Sequence, residues 1–163
     1  MKPKRLIGLA AIVCTALTLS SGAASGATRG THRPLRGVST STSTIDLGTG
    51  VGTSDGTSRL SHCGRTTFHN DFTFALQGSD GFQLVGTDTE VCANGDKVFS
   101  TFTVTGTVST GESTGAFTIT GGTGRFADAR GAFTIVAQST IVSVVGTKLV
   151  SDDANTIQGQ ISY

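Results

Sequence analysis

The sequence predicts an all-β protein: a single antiparallel, eight-stranded closed barrel with one disulfide. Among its 163 residues are 28 Thr, 17 Ser and 23 Gly but only 2 Pro, a composition that favours pleated strands and glycine turns. Charged residues make up only 14% and the formal net charge is +1, which excludes a long charged helix and a strongly charged disordered tail. Turn signals also recur about every 8–12 residues, the spacing of sandwiches and barrels.

The first 27 residues have the order of a secretory signal peptide. Three cations within the first five residues precede an uncharged apolar run over residues 6–19, and small residues fill positions 20–27. This run is shorter than the about 20 residues that a membrane-spanning helix needs. We therefore expect cleavage after Ala27, or else after Ala24, and a secreted, extracellular protein. An uncleaved anchor is the alternative.

The charge that remains after cleavage argues against a nucleic-acid partner. Nine Lys and Arg stand against eleven Asp and Glu, a net charge of −2, and nucleic-acid binding requires a clustered basic face. We expect no nucleic-acid partner and no membrane span after cleavage. Residues 28–37 are polar, basic and unpatterned, so they are predicted to form a flexible leader whose arginines are simply solvated.

Residues 38–163 are predicted to form the barrel domain. Gly, Asn and Asp favour turns because they tolerate positive φ or bond to their own backbone. The predicted breaks are residues 78–81, 93–96, 109–111, 121–124 and 152–155. The predicted strands are 38–47, 58–76 with a bend or an interruption near Gly64, 81–92, 97–108, 113–120, 131–140, 141–149 and 155–163.

The alternation of side chains supports these strands. Because successive residues of a strand face opposite sides, Phe68, Phe72 and Phe74 share one face, and Ile157 and Ile161 share a face of the last strand. Thr and other polar residues occupy most of the alternate positions, as in antiparallel strands that are buried on one side. Closing eight such strands into a barrel leaves no exposed edge.

Cys63 and Cys92 are the only cysteines left after cleavage. An even pair in an exported chain favours a disulfide, and closing a loop of about 30 residues would stabilise the fold by about 3.6 kcal/mol. A metal site with His62 and His69 is the alternative, but zinc sites usually have three or four closely spaced ligands. We expect the disulfide, and no metal.

Residues 119–131 carry the most distinctive motif, Ile-Thr-Gly-Gly-Thr-Gly-Arg-Phe-Ala-Asp-Ala-Arg-Gly. This motif resembles the glycine-rich signature of allene oxide cyclase-like and dirigent-like barrels, and residues 61–65 and 94–96 are similar to segments of their secreted bacterial members. The resemblance implies an eight-stranded, calycin-type barrel over residues 38–163, frequently dimeric or trimeric, with Phe126 plugging one end. It implies a fold and says little about chemistry.

Four polar residues are candidates for a site inside the barrel. Asp88 and Glu90 share parity with the apolar residues of their strand, as Asn70 and Ser100 do in theirs. A carboxylate in an apolar interior would have a raised pKa and could serve as a general acid or base. The alternative is a β-bulge near Gly86, which would turn both carboxylates towards solvent. Of the two, the bulge is favoured.

These residues lead to three hypotheses about function. The first is a secreted barrel that binds a small apolar ligand without catalysis, through Phe68, Phe72, Phe102, Phe117 and Ser100. The second is a cofactor-free isomerase or cyclase that acts on a reactive apolar substrate, with Glu90, Asp88 or Asn70 assisting. The third is a structural or surface-interaction protein with a filled core. None of them requires a cofactor.

Overall fold

The computed structural model describes residues 31–163, which form one closed barrel of eight antiparallel strands. Each strand pairs with the next along the chain, and the last pairs with the first. The strands are β1 Arg33–Asp46, β2 Val51–Leu60, β3 Gly64–Gln77, β4 Gly81–Val91, β5 Lys97–Thr107, β6 Glu112–Gly122, β7 Arg130–Val145 and β8 Lys148–Ser162, with a 3-10 helix over Gly124–Phe126. The all-β class and the closed eight-stranded barrel are thus confirmed, while the predicted signal peptide lies outside the described residues.

The number of strands was predicted correctly because two boundary differences compensate. One predicted segment contains parts of two strands, and two predicted strands form a single one. The predicted strand 58–76 is interrupted near Gly64, one of the two expected alternatives, and its parts belong to β2 and β3. The chain turns there at His62 and Gly64, whose φ angles are 72° and 80°. The predicted strands 131–140 and 141–149 are one strand, β7. The β-branched run at their junction contains no turn residue, and the chain turns only at Gly146, where φ is 61°.

Two other predicted irregular segments are also strand. Residues 152–155, predicted as a break, lie inside β8 and pair with β1 on one side and β7 on the other. Residues 33–37, predicted as leader, begin β1, and Leu35 there is only 5% exposed. In both places pairing and burial override local propensity. Residues 28–30 of the predicted leader lie outside the described part.

One end of the barrel is closed by an apolar plug. Phe126 of the 3-10 helix is fully buried, and its ring meets that of Tyr163 edge-on at 4.7 Å. The Cys63–Cys92 disulfide lies in this plug and joins the β2–β3 turn to the end of β4, which confirms the predicted pairing. The rest of the plug comes from Leu35, Val98, Ile119, Ala129 and Ile161. We call this the closed end.

The opposite end is the open end, where the β1–β2, β3–β4, β5–β6 and β7–β8 turns lie. A second apolar cluster occupies this half, made of Ile45, Phe72, Phe102, Val104 and Phe117 with half-buried neighbours. Within residues 31–163 no helix is long and apolar enough to cross a membrane.

Candidate functional site

The barrel is hollow between the plug and the open end. The cavity measures about 510 Å³ and reaches the β5–β6 turn and Thr140 and Ile141 of β7. A filled interior, the basis of the third hypothesis, is therefore not what the structure has. Two unlike walls enclose the cavity, one aromatic and one polar.

The aromatic wall is a stack of phenylalanines on neighbouring strands. The rings of Phe102 and Phe117 lie 4.8 Å apart, and those of Phe117 and Phe133 lie 4.6 Å apart, with interplanar angles of 23° and 19°. Such offset stacks add to the stability gained from apolar burial. Gly86 allows the packing, because a Cβ there would come within 2.9 Å of the Phe102 ring and 2.7 Å of Phe72.

All four phenylalanines predicted to contact a ligand, Phe68, Phe72, Phe102 and Phe117, line this cavity. Their role in binding stays a prediction. Several other apolar residues also line the cavity and have inward parity within their own strands, but sequence reasoning did not name them as ligand contacts. These residues are Phe74, Phe82, Leu84, Phe133, Ile135, Ala137 and Leu149.

The polar wall is an in-register row that crosses neighbouring strands. Directly paired positions bring together Ser43 of β1, Ser54 of β2, Asn70 of β3, Asp88 of β4 and Ser100 of β5. Each residue faces inward because its strand alternates without interruption up to this point. Three of the five, Asn70, Asp88 and Ser100, had been predicted as site residues, and the barrel register aligns them.

Asp88 and Glu90 point inward, and the predicted bulge near Gly86 is wrong. The register of β4 is continuous with both neighbouring strands. Asp88 is 6% exposed and Glu90 is 8% exposed, so both side chains are buried. The only register shift in this region lies on β5 and β6, between Phe99 and Ser100. Gly86 therefore serves ring packing and does not interrupt the strand.

The two carboxylates differ in their partners. Glu90 accepts hydrogen bonds from Ser58 and Thr66, whereas the described residues offer Asp88 no hydrogen-bond donor. Burial raises the pKa of Asp88 well above its ordinary value, and the nearby charge of Glu90 adds to this effect. Burial also raises the pKa of Glu90, but its two hydroxyl donors oppose the shift. Asp88 is therefore the carboxyl that favours holding a proton.

Asn70 and Ser100 have different positions relative to the cavity. Asn70 lines it, and its buried Oδ1 atom has no hydrogen-bond partner among the described residues. Ser100 is 2% exposed, its Oγ atom also lacks a partner there, and it does not line the cavity. The ligand contact of Ser100 stays a prediction, because its hydroxyl belongs to the in-register row but is buried and is not among the lining residues.

A third carboxylate, Asp153 of β8, was missed by sequence reasoning. It lines the cavity and accepts hydrogen bonds from Ser43 at 2.5 Å and Ser151 at 3.3 Å. Asn155 lies two residues further along β8 and donates to Ser39 at 3.0 Å. Both residues share parity with the buried Ile157, a signal that was overlooked because residues 152–155 were predicted as a turn.

The cavity wall contains no cation. None of the described residues that line it is Lys, Arg or His, whereas three carboxylates line it: Asp88, Glu90 and Asp153. Within residues 31–163 no group of three or more His, Cys, Asp or Glu side chains is arranged to hold a metal ion. The wall thus offers mainly hydroxyl, amide and carboxyl groups on one side and aromatic rings on the other.

Comparisons with known proteins are limited to the fold. No protein-family model matches the chain, and no curated protein matches at a significant level. The structure of the pterocarpan synthase dirigent protein GePTS1 is similar over 81% of this chain and 86% of that one, at 13% sequence identity and a TM-score of 0.40. At this level the similarity carries no argument about activity or substrate.

Proposed function

We propose that this protein binds a small ligand, largely apolar and polar along one edge, inside the barrel. The observation that carries the proposal is the open cavity of about 510 Å³ with one aromatic wall and one polar wall. This volume falls within the roughly 300–1,000 Å³ of small-molecule sites, which are mostly apolar with a few converging polar groups. The predicted export of the chain and its disulfide support a role outside the cell.

The polar wall indicates how the ligand would be oriented. The unpartnered Oδ1 atom of Asn70 and the oxygens of Asp153 and Glu90 are hydrogen-bond acceptors, and serine hydroxyls can act in either role. A ligand edge that carries hydroxyl or N–H groups would satisfy them, while a flat apolar body would lie against Phe102, Phe117 and Phe133. A buried acceptor that stays unpaired is costly, so this arrangement favours a donor.

A blocked cavity tests this proposal. Ala137 is 7% exposed and lines the cavity, whereas its neighbour Val136 points outward and is 62% exposed. We expect Ala137→Trp to weaken binding of the apolar dye Nile red at least about 10-fold, because the indole occupies the ligand volume. The matched Val136→Trp variant should bind as the unaltered protein does, with folding of both variants checked by circular dichroism.

Two further measurements test whether the ligand binds inside the barrel. Equal dye affinity of the two tryptophan variants would contradict binding inside the barrel. Native mass spectrometry of the protein purified without denaturation should show a copurified small molecule in the unaltered protein and in Val136→Trp. The same molecule should be absent from Ala137→Trp.

Proton transfer to the bound ligand, as in an isomerase or cyclase, is a second candidate function. The observation that favours it is Asp88, a buried carboxyl that lines the cavity without a hydrogen-bond donor from the described residues. Burial raises the pKa of this carboxyl well above its ordinary value, and a raised pKa suits a carboxyl to general acid–base work. If the copurified molecule is incubated with the protein in D₂O, deuterium incorporation should occur and be lost in Asp88→Asn. No incorporation with either protein would leave binding alone as the function.

A further inference from the structure

The barrel carries its positive charge at one end. Residues 31–163 contain eight Lys and Arg, and seven of them lie within four residues of the closed-end terminus of a strand or in the 3-10 helix. Only Lys148, at the start of β8, is at the open end. The seven residues of this basic end are Arg33, Arg36, Arg59, Arg65, Lys97, Arg125 and Arg130.

Carboxylates show the opposite distribution. By the same criterion four carboxylates lie near the basic end, so its side chains carry seven cations against four anions, a net charge of +3. Two of the four, Asp88 and Glu90, are buried and face the interior, which leaves Asp96 and Asp128. The other seven carboxylates lie along the walls, in the cavity or at the open end, with Lys148 as the one cation there, a net charge of −6. The mature chain is nearly neutral, so this segregation is invisible in its net charge.

The cations of the basic end are largely not neutralised by neighbours. Of these seven cations, only Arg125 lies within 4.0 Å of a carboxylate among the described residues, that of Asp96. Arg59 of β2 and Arg65 of β3 are directly paired across the two strands, an arrangement that is unfavourable for like charges. An anionic partner at this surface would lower the electrostatic repulsion between these arginines.

Several of these side chains are held in place. The guanidinium of Arg33 lies 4.8 Å from the centre of the Tyr163 ring, and that of Arg125 lies 4.7 Å from the centre of the Phe126 ring. Arg130 donates to the backbone oxygens of Thr120 at 2.8 Å and Ala129 at 2.6 Å. Such contacts reduce the rotamer freedom that would be lost on binding.

From this charge distribution we propose that the closed end of the barrel docks on a lipid bilayer that is rich in anionic headgroups. The cations come from β1, β2, β3, β5, the 3-10 helix and β7, so they encircle the end of the barrel and do not follow one groove. A flat charged surface engages all of them together, whereas a single polymer chain engages only a few. Large exposed apolar residues, except Val38, lie on the walls or towards the open end, so the contact is electrostatic and peripheral.

Docking through the basic end has a consequence for the cavity. The cavity opens at the other end of the barrel, so a docked protein presents its mouth away from the bilayer. The docking itself uses no cavity residue. Its success or failure is therefore independent of the proposed ligand binding.

Cosedimentation with vesicles tests the docking. The purified, exported protein, with its N-terminus checked by mass spectrometry, is mixed with phosphatidylcholine vesicles with and without phosphatidylglycerol. It should sediment only with the anionic vesicles, and 500 mM NaCl should release it. Each cation removed should weaken binding about fivefold, so Arg59→Gln with Arg65→Gln should weaken it roughly 25-fold. Both arginines are exposed and directly paired, so removing their mutual repulsion should not destabilise the barrel.

The control is Lys148→Gln, which removes one charge from the open end. It should bind as the unaltered protein does, whereas the single variant Arg59→Gln should bind about fivefold more weakly. Equal losses in these two single variants would overturn the assignment to the closed end. Failure to sediment with anionic vesicles at 50 mM NaCl would overturn the proposal, as would binding to dextran sulfate but not to vesicles.

Discussion

The two ends of the barrel are built from the same strands but are filled in opposite ways. Inward positions near the closed end carry Leu35, Ile119 and Ile161, which pack around the fully buried Phe126. Further along the same strands, inward positions carry serines, Asn70, Asp88 and Asp153 around a cavity. The difference indicates that the closed end supplies stability, while the open half gives up dense packing for a space that a ligand can occupy.

The largest expected effect concerns the plug. Phe126→Ala should lower the free energy of unfolding by about 3–5 kcal/mol, because it removes a fully buried ring and leaves a void at the closed end. The half-buried Phe74, at the open end, provides the control, and Phe74→Ala should cost clearly less. Chemical denaturation followed by circular dichroism measures both. Equal losses would contradict the division between a stabilising end and a hollow end.

Removing the disulfide should affect the stability of the fold without affecting the cavity. Replacing Cys63 and Cys92 together with serine should lower the free energy of unfolding by about 2–5 kcal/mol, since the link closes a loop with a sequence separation of 29. Well below its melting temperature the variant should still bind Nile red normally, because the cavity does not contain the disulfide. Loss of dye binding in a variant that is still folded would show that the two ends are coupled.

The smallest effect concerns the polar wall and has a defined pH dependence. Because the pKa of Asp88 is raised by burial above its ordinary value of 3.8, the folded state holds a proton that the unfolded state releases. This contribution to stability is fully present below pH 3.8 and is lost as pH rises through the folded-state pKa. Asp88→Asn should therefore be more stable at neutral pH, by on the order of 1 kcal/mol, and its stability should fall less with rising pH.

Thermal melts between pH 3 and pH 8 measure this slope. Glu112→Gln, which removes a carboxyl from an exposed position at the start of β6, is the control and should follow the unaltered protein. Glu90, whose pKa is also raised by burial, keeps part of the slope in both proteins. Identical slopes for Asp88→Asn and the unaltered protein would contradict the buried position of Asp88.

Sequence reasoning succeeded where local alternation is sufficient and failed where distant strands decide. The parity of Phe72, Phe102 and Asp88 predicted inward faces that the barrel does have. Asp153 was assigned to a turn because Asp-Asp-Ala-Asn has a strong turn preference. The pairing of β8 with both β1 and β7 outweighs that preference. The bulge near Gly86 was expected because glycine weakens strands, whereas here it makes room for Phe102.

The sequence by itself determined the all-β class, the inward face of most strands and the cysteine pair, because these follow from period-two alternation and from composition. Only the tertiary structure decided what those faces enclose. Barrel closure and strand register place Asp88 of β4 and Asp153 of β8 on the wall of one cavity and gather seven scattered cations at one end. The physical reason is that register is set by pairing between strands far apart in the chain, and local sequence does not encode this pairing.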